Sequence, residues 1–128
     1  MDSIDCSKYY NNLGKMTLTD RWSRPPLPKQ SSFLPIVCEL CDMIVRDSGE
    51  RMVAIFVLDK NGVPICVKTY PEIAIDSLRN EVMKLLYKME FDPALVYKDS
   101  VRSHISLVLD AEKCERYKIM NTQTLLLK

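Results

Sequence analysis

Glycine is scarce in this chain, with three in 128 residues. That is too few for a glycine-rich loop whose backbone N–H groups would cradle a phosphate, so the common nucleotide-binding fingerprints are excluded. Charge of one sign is missing as well. Eighteen basic residues stand against seventeen acidic ones, and without a clustered basic field there is no electrostatic case for nucleic acid as a partner. No apolar run approaches the roughly 18–20 residues of a membrane span, which argues against membrane insertion. The first residues also lack the charged and apolar regions of a signal peptide. Five cysteines, an odd number without secretory context, fit free thiols in a reducing compartment. The expectation is a soluble cytoplasmic protein that reaches membranes only through partners. Internal repeats and low-complexity tracts are absent too.

What is present centres on Met52 to Lys68. Seven apolar residues, Met52 to Leu58, meet the polar turn Asp59-Lys60-Asn61-Gly62, and a second apolar run starts at Val63. Asn-Gly favours a type I′ hairpin, because both residues tolerate positive φ. The first run is apolar at every position and reads as a strand covered on both faces. The second alternates, with Val63, Ile65 and Val67 on one side and Pro64, Cys66 and Lys68 on the other. Pro64 belongs near the strand start, where no ladder donor is needed.

Residues 1–31 read as a flexible or surface-hugging arm, and 32–128 as one α+β domain. In the arm, Trp22 and Tyr9-Tyr10 are the large aromatic anchors. Pro25, Pro26 and Pro28 favour polyproline II and contain one P-x-x-P, which reads as a stiff linker or, alternatively, an SH3-type ligand. Ser31 or Ser32 suits a helix cap before a helix over 32–47, with Pro35 in its first turn, Arg46 near its end and Gly49 as the stop. A second helix over 72–90 opens at Pro71-Glu72 and carries the stripe Ile75, Leu78, Val82, Leu85, Leu86 and Met89. Phe91 to Arg102 reads as a loop. Strands are expected at 104–109, 116–120 and 124–128, with Asp110 to Glu115 as a hairpin loop. The resulting order is αββαβββ, with a single five-stranded, mainly antiparallel sheet.

Few residues offer chemistry. Cys38-Glu39-Leu40-Cys41 lies inside a helix rather than at the helix start a redox C-x-x-C needs. A zinc site would draw on scattered Cys6, Cys66, Cys114 and His104. Core packing is the favoured reading for this pair, with metal and redox roles as alternatives. His104, the sole histidine, opens a strand on the outward parity and reads as a surface or interface residue. Asp59 beside Asn61-Gly62 lacks the twelve-residue calcium spacing and reads as turn chemistry. The long apolar stripe of the second helix, together with Tyr97, Val101 and Val108, exceeds what one small sheet covers and points to a partner surface.

An amphipathic helix, a short loop with glycine, an apolar strand and then D-x-N-G-x-P-I resembles the Roadblock family. Asp59, Asn61, Gly62, Pro64 and Ile65 carry that likeness, which extends over 32–128. With no helix expected after the last strand, the chain is similar to the short Ragulator subunits rather than to dynein-associated members. The N-terminal arm is not a family feature. The resemblance implies a non-enzymatic adaptor or scaffold subunit with neither cofactor nor metal. Such domains pair through their second helix and the following strand, as homo- or heterodimers, and serve as platforms for small GTPases, motors or signalling scaffolds. Mapped here, the pairing surface is Leu78, Val82, Leu85, Leu86 and Met89 with His104, Ser106 and Val108. The alternative is a small viral or lineage-specific effector that binds a host protein, partly through Trp22, Pro25, Pro26 and Pro28.

Overall fold

The computed structural model describes residues 22–45, 51–70 and 72–126. In chain order the elements are β1 (Leu27–Pro28), α1 (Gln30–Leu40), β2 (Met52–Leu58), β3 (Pro64–Tyr70) and α2 (Asp76–Tyr87). They are followed by β4 (Phe91–Asp92), β5 (Ala94–Val96), β6 (Asp99–Val101), β7 (Ser103–Leu109) and α3 (Ala111–Leu126). One wide turn with i→i+5 bonding, Cys41–Val45, prolongs α1. The expected Arg46, Gly49 and Pro71 signals fall outside the described residues.

Antiparallel pairing places β2 between β3 and β7. One face of this sheet carries Met52, Ala54, Phe56 and Leu58, flanked by Val67 and Leu109. Against it pack Val37 and Leu40 of α1, Val82 and Leu86 of α2, and Cys114 and Tyr117 of α3. All three helices therefore share one side of the sheet. The hairpin differs from a type I′ turn, because Gly62 is the sole residue of this turn with positive φ, at +81°. Asp59 N–H donates to the Val63 carbonyl at 2.9 Å. Its carboxylate accepts from the N–H groups of Asn61 and Val63. This is a three-residue loop with a left-handed glycine, and the β2–β3 register shifts beside it, between Val57 and Leu58. A Cβ on Gly62 would lie 2.1 Å from the Phe91 carbonyl oxygen, so the turn presses directly on β4.

Several sequence expectations are corrected here. The five-stranded sheet is a three-stranded sheet plus two two-stranded ribbons, β1–β4 and β5–β6. Phe91 to Arg102, expected as a loop, holds β4, β5 and β6. The last two expected strands are one helix, α3. Its start is capped by Asp110, whose carboxylate accepts from the Lys113 N–H at 2.8 Å. Cys114, Tyr117 and Asn121 recur on its less exposed side, a period of three to four that outweighs the short Tyr117/Ile119 alternation. Asp110 to Glu115 also contains no glycine, proline or asparagine to make the hairpin turn. The first helix starts at Gln30 rather than at Ser31 or Ser32, and Pro35 sits in its second turn. The second helix is shorter than expected, because Ile75 is already extended.

The arm divides at the boundary of the described residues. Residues 1–21 lie outside them, whereas 22–28 is bound to the domain. Arg24 bridges Leu95, and Leu27-Pro28 pairs with Phe91-Asp92. The burial pattern makes a simple contrast. Leu86→Ala should lower unfolding free energy by about 2–5 kcal/mol in urea titrations, because it leaves a core cavity. Ile75→Ala, at a site 63% exposed, should change it by no more than about 0.5 kcal/mol.

Candidate functional site: a sheet edge and a helix-to-helix bridge

The sequence placed its site on the second helix and on the strand at 103–109, and the structure treats the two differently. Val82, Leu86 and Met89 are buried in the protein's own core, so this part of the expected pairing surface is corrected. Leu78 and Leu85 are half-buried and pack against the same core. Exposed instead are Tyr87 at the end of the helix and Ile75 just before its start. The helix packs against β3, which lies at the opposite edge of the sheet from β7. Helix and strand therefore do not form one continuous surface.

Strand β7 lies at one edge of the three-stranded sheet among the described residues. Val67 on β3 donates its N–H to the Tyr87 hydroxyl at 3.2 Å, so its backbone groups point away from β2. Such positions alternate in an antiparallel ladder. Phe56, opposite Val67, therefore turns its groups toward Ile105 of β7. It follows that His104, Ser106 and Val108 direct theirs outward. Among the described residues no strand pairs with that side of β7. The sequence of the strand, S-H-I-S-L-V-L, holds no lysine, acid or proline, the devices that usually blunt an open edge.

The side chains of these residues lie on the sheet face away from the helices. His104 is half-buried opposite Val57, with its ring centroid 5.6 Å from that of Trp22. Burial holds its pKa below the ordinary 6.5, which keeps the ring neutral near pH 7. Ser106 is exposed and Val108 half-buried. In the P-x-x-P segment Pro25 is exposed, Pro26 is buried and Pro28 is half-buried in β1. A groove recognising polyproline II would find half of that motif already covered.

A second feature was not legible in the sequence. Cys41 and Cys114 form a disulfide between the end of α1 and the first turn of α3, with Cα atoms 5.7 Å apart and 73 residues between them in sequence. The expectation of free thiols is overturned there, and Cys66 is disulfide-bonded as well. Cys41 does sit in the core, as expected, but as half of a bridge rather than as a packed thiol. It is therefore not available as a metal ligand. Cys38 is free and half-buried, and burial followed by the negative Asp42 pushes its thiol pKa up. That makes it a poor nucleophile near neutral pH. The Phe33 and Tyr117 rings meet edge-to-face at 5.4 Å across the same helix pair. Among the described residues no group of three His, Cys, Asp or Glu side chains converges. No described helix is long and apolar enough to cross a membrane.

Closing a loop of this length is worth about 4 kcal/mol in chain entropy. Replacing both Cys41 and Cys114 by alanine should lower the unfolding free energy by about 2–4 kcal/mol, read from urea midpoints without reductant. His104 sets a pH dependence whose sign follows from its lowered pKa. The unfolded histidine takes up its proton first as pH falls, so stability drops as pH goes from about 7 toward 5. His104→Gln should remove that portion of the slope, measured as the difference between the two pH–stability curves.

No protein-family model matches the sequence, and no curated protein matches it.

Proposed function

We propose that the chain is a non-enzymatic adaptor subunit that assembles with a second sheet through the open edge of β7. The observation that carries this reading is the edge itself: seven residues without charge or proline, with backbone groups of His104, Ser106 and Val108 directed outward. An extended segment added there gains main-chain hydrogen bonds, and the alternating side chains supply specificity. Two copies can pair antiparallel about Ser106, with His104 of each facing Val108 of the other. No like charges meet in that register, since the half-buried His104 is held toward its neutral form. A helix contribution would come from the exposed Ile75 and Tyr87 rather than from the buried stripe.

The hairpin residues Asp59, Asn61, Gly62, Pro64 and Ile65 support the resemblance to Roadblock-type domains, and so does the order of helix, hairpin, helix and later strand. The helix α3 after β7 departs from the short Ragulator form, which lacks such a helix. By that resemblance the dimer is a platform for a small GTPase or for a motor or signalling scaffold. The disulfides weigh against a strongly reducing compartment. The effector reading, in which the proline segment captures a host protein, loses support from the burial of Pro26 and the pairing of Leu27-Pro28.

Ser106→Pro tests the proposal. Proline is tolerated where an edge N–H faces solvent but cannot donate to an added strand. Light scattering after size exclusion should show a dimer for the wild type at high micromolar concentration. The proline variant should be a monomer with unchanged far-UV circular dichroism. A wild-type monomer that pairs with no related subunit would refute the proposal, as would a proline variant that still dimerises.

A further inference from the structure

Where α2 ends against the β2–β3 turn, the surface carries more positive charge than the chain as a whole. A concavity of about 340 Å³ is lined there by Lys29, the turn residues 61–64 and residues 87–91. A second, of about 520 Å³, runs along α2 and is lined by Asn80, Met83, Lys84, Tyr87 and Lys88. The two meet at Tyr87 and Lys88, and each is of a size that holds a ligand. The charged lining is Lys29, Lys84 and Lys88 against one carboxylate, Glu90. Over the whole chain, eighteen basic residues nearly balance seventeen acidic ones. Lys84 lies 3.8 Å from Glu81, an exposed pair that neutralises little of its charge. Lys29 and Lys88 make no ion pair among the described residues.

Apolar groups stand between these lysines. Val63 and Tyr87 are exposed, and Met83 is half-buried. Tyr87 adds a directed donor. Its hydroxyl accepts the Val67 N–H at 3.2 Å, which leaves its own proton for another acceptor. No described residue takes that proton up. The same bond occupies a β3 N–H that an added strand would need, so side chains rather than strand addition hold a ligand here. The C-terminal end of α2 carries partial negative charge, which disfavours an anion. Lys84 and Lys88 stand at that end and offset it. The Leu85 and Leu86 carbonyls are already occupied by the N–H groups of Lys88 and Met89.

We propose that this groove binds a short acidic peptide with apolar residues among its carboxylates. The lysines meet the carboxylates, the Tyr87 hydroxyl donates to one of them, and Val63, Met83 and the Tyr87 ring cover the apolar part. From Asn80 to Tyr87 the helix advances about 10 Å. With the turn beyond, the groove suits about four to six extended residues at about 3.3 Å each. Nucleic acid fits less well, because lysines interrupted by apolar groups do not make the long basic field that a phosphate backbone needs. The groove lies beside β3, at the opposite edge of the sheet from β7, so this proposal does not depend on the assembly reading.

The test uses the full chain and fluorescence anisotropy with a labelled hexapeptide, four aspartates around a phenylalanine–leucine pair. The expected result is saturable binding with a Kd of roughly 10–100 μM. Raising salt from about 0.1 M to about 1 M should weaken it about tenfold, as charges are screened. Lys29→Glu combined with Lys88→Glu should weaken it about tenfold or more. Tyr87→Phe should cost about tenfold, with unchanged far-UV circular dichroism in each variant. Lys98→Glu combined with Lys118→Glu changes the net charge equally at exposed sites outside the groove. That pair should leave the Kd within about twofold. No saturation below about 1 mM, or equal binding of the hexapeptide with lysines in place of aspartates, overturns the proposal. So does equal weakening by the two charge-reversal pairs, a Tyr87→Phe variant that binds as the wild type does, or tighter binding of a short thymidine oligonucleotide.

Discussion

Strand β2 is the constraint on which the rest of this structure depends. Its even-numbered side chains are sealed by three helices, while Val57 on its other face is equally inaccessible. A strand buried on both faces and paired along both edges leaves no backbone group to water, so neighbours must supply every hydrogen bond. That requirement brings β3 back through a tight turn and β7 across from far along the chain. The turn is held by the Asp59 carboxylate and by Gly62, whose backbone lies close against β4. Phe91, whose carbonyl makes that contact, meets Phe56 at a centroid distance of 5.1 Å, and so returns the β4 segment to the central strand.

The helix layer is braced differently from the sheet. α1 and α3 are far apart in sequence and are joined by the Cys41–Cys114 bridge and by the Phe33–Tyr117 ring contact. Because α3 follows β7 directly, that brace also restrains the strand whose outer edge pairs with no strand among the described residues. Rigidity of this kind suits an edge that adds a strand, since a pre-ordered template loses less conformational entropy on pairing. An adaptor needs no converging acid, base or nucleophile. In the assembly proposed above, specificity would come from the register of main-chain groups and from the alternate side chains beside them.

Legibility of the sequence varied with the range of the determining interaction. The hairpin was readable because its strands are apolar, adjacent and joined by turn residues, so local preference and burial agree. Helix α2 was readable for the same reason, through a stripe at helical spacing. Its role was misjudged, because periodicity reports that a face is buried and not what buries it. Here Val82, Leu86 and Met89 are covered by the protein's own sheet. α3 was mistaken for strands because Tyr117 and Ile119 alternate over a few residues, while its true inward residues are spaced by three and four. The β4–β6 region was hidden by its short segments, and Tyr97 there turns the chain with a φ of +57° despite being neither glycine nor asparagine.

From the amino-acid order alone came the central hairpin, the amphipathic second helix, the lack of a phosphate loop and the absence of a one-signed charge field. Each depends on residues close together in the chain, where stereochemistry and hydrophobic period suffice. Tertiary structure alone decided which cysteines meet, which apolar stripe stays inside and which strand is left at the edge of the sheet. Those outcomes depend on contacts between segments many tens of residues apart. Such contacts are selected by how surfaces pack together, and no local pattern encodes that choice.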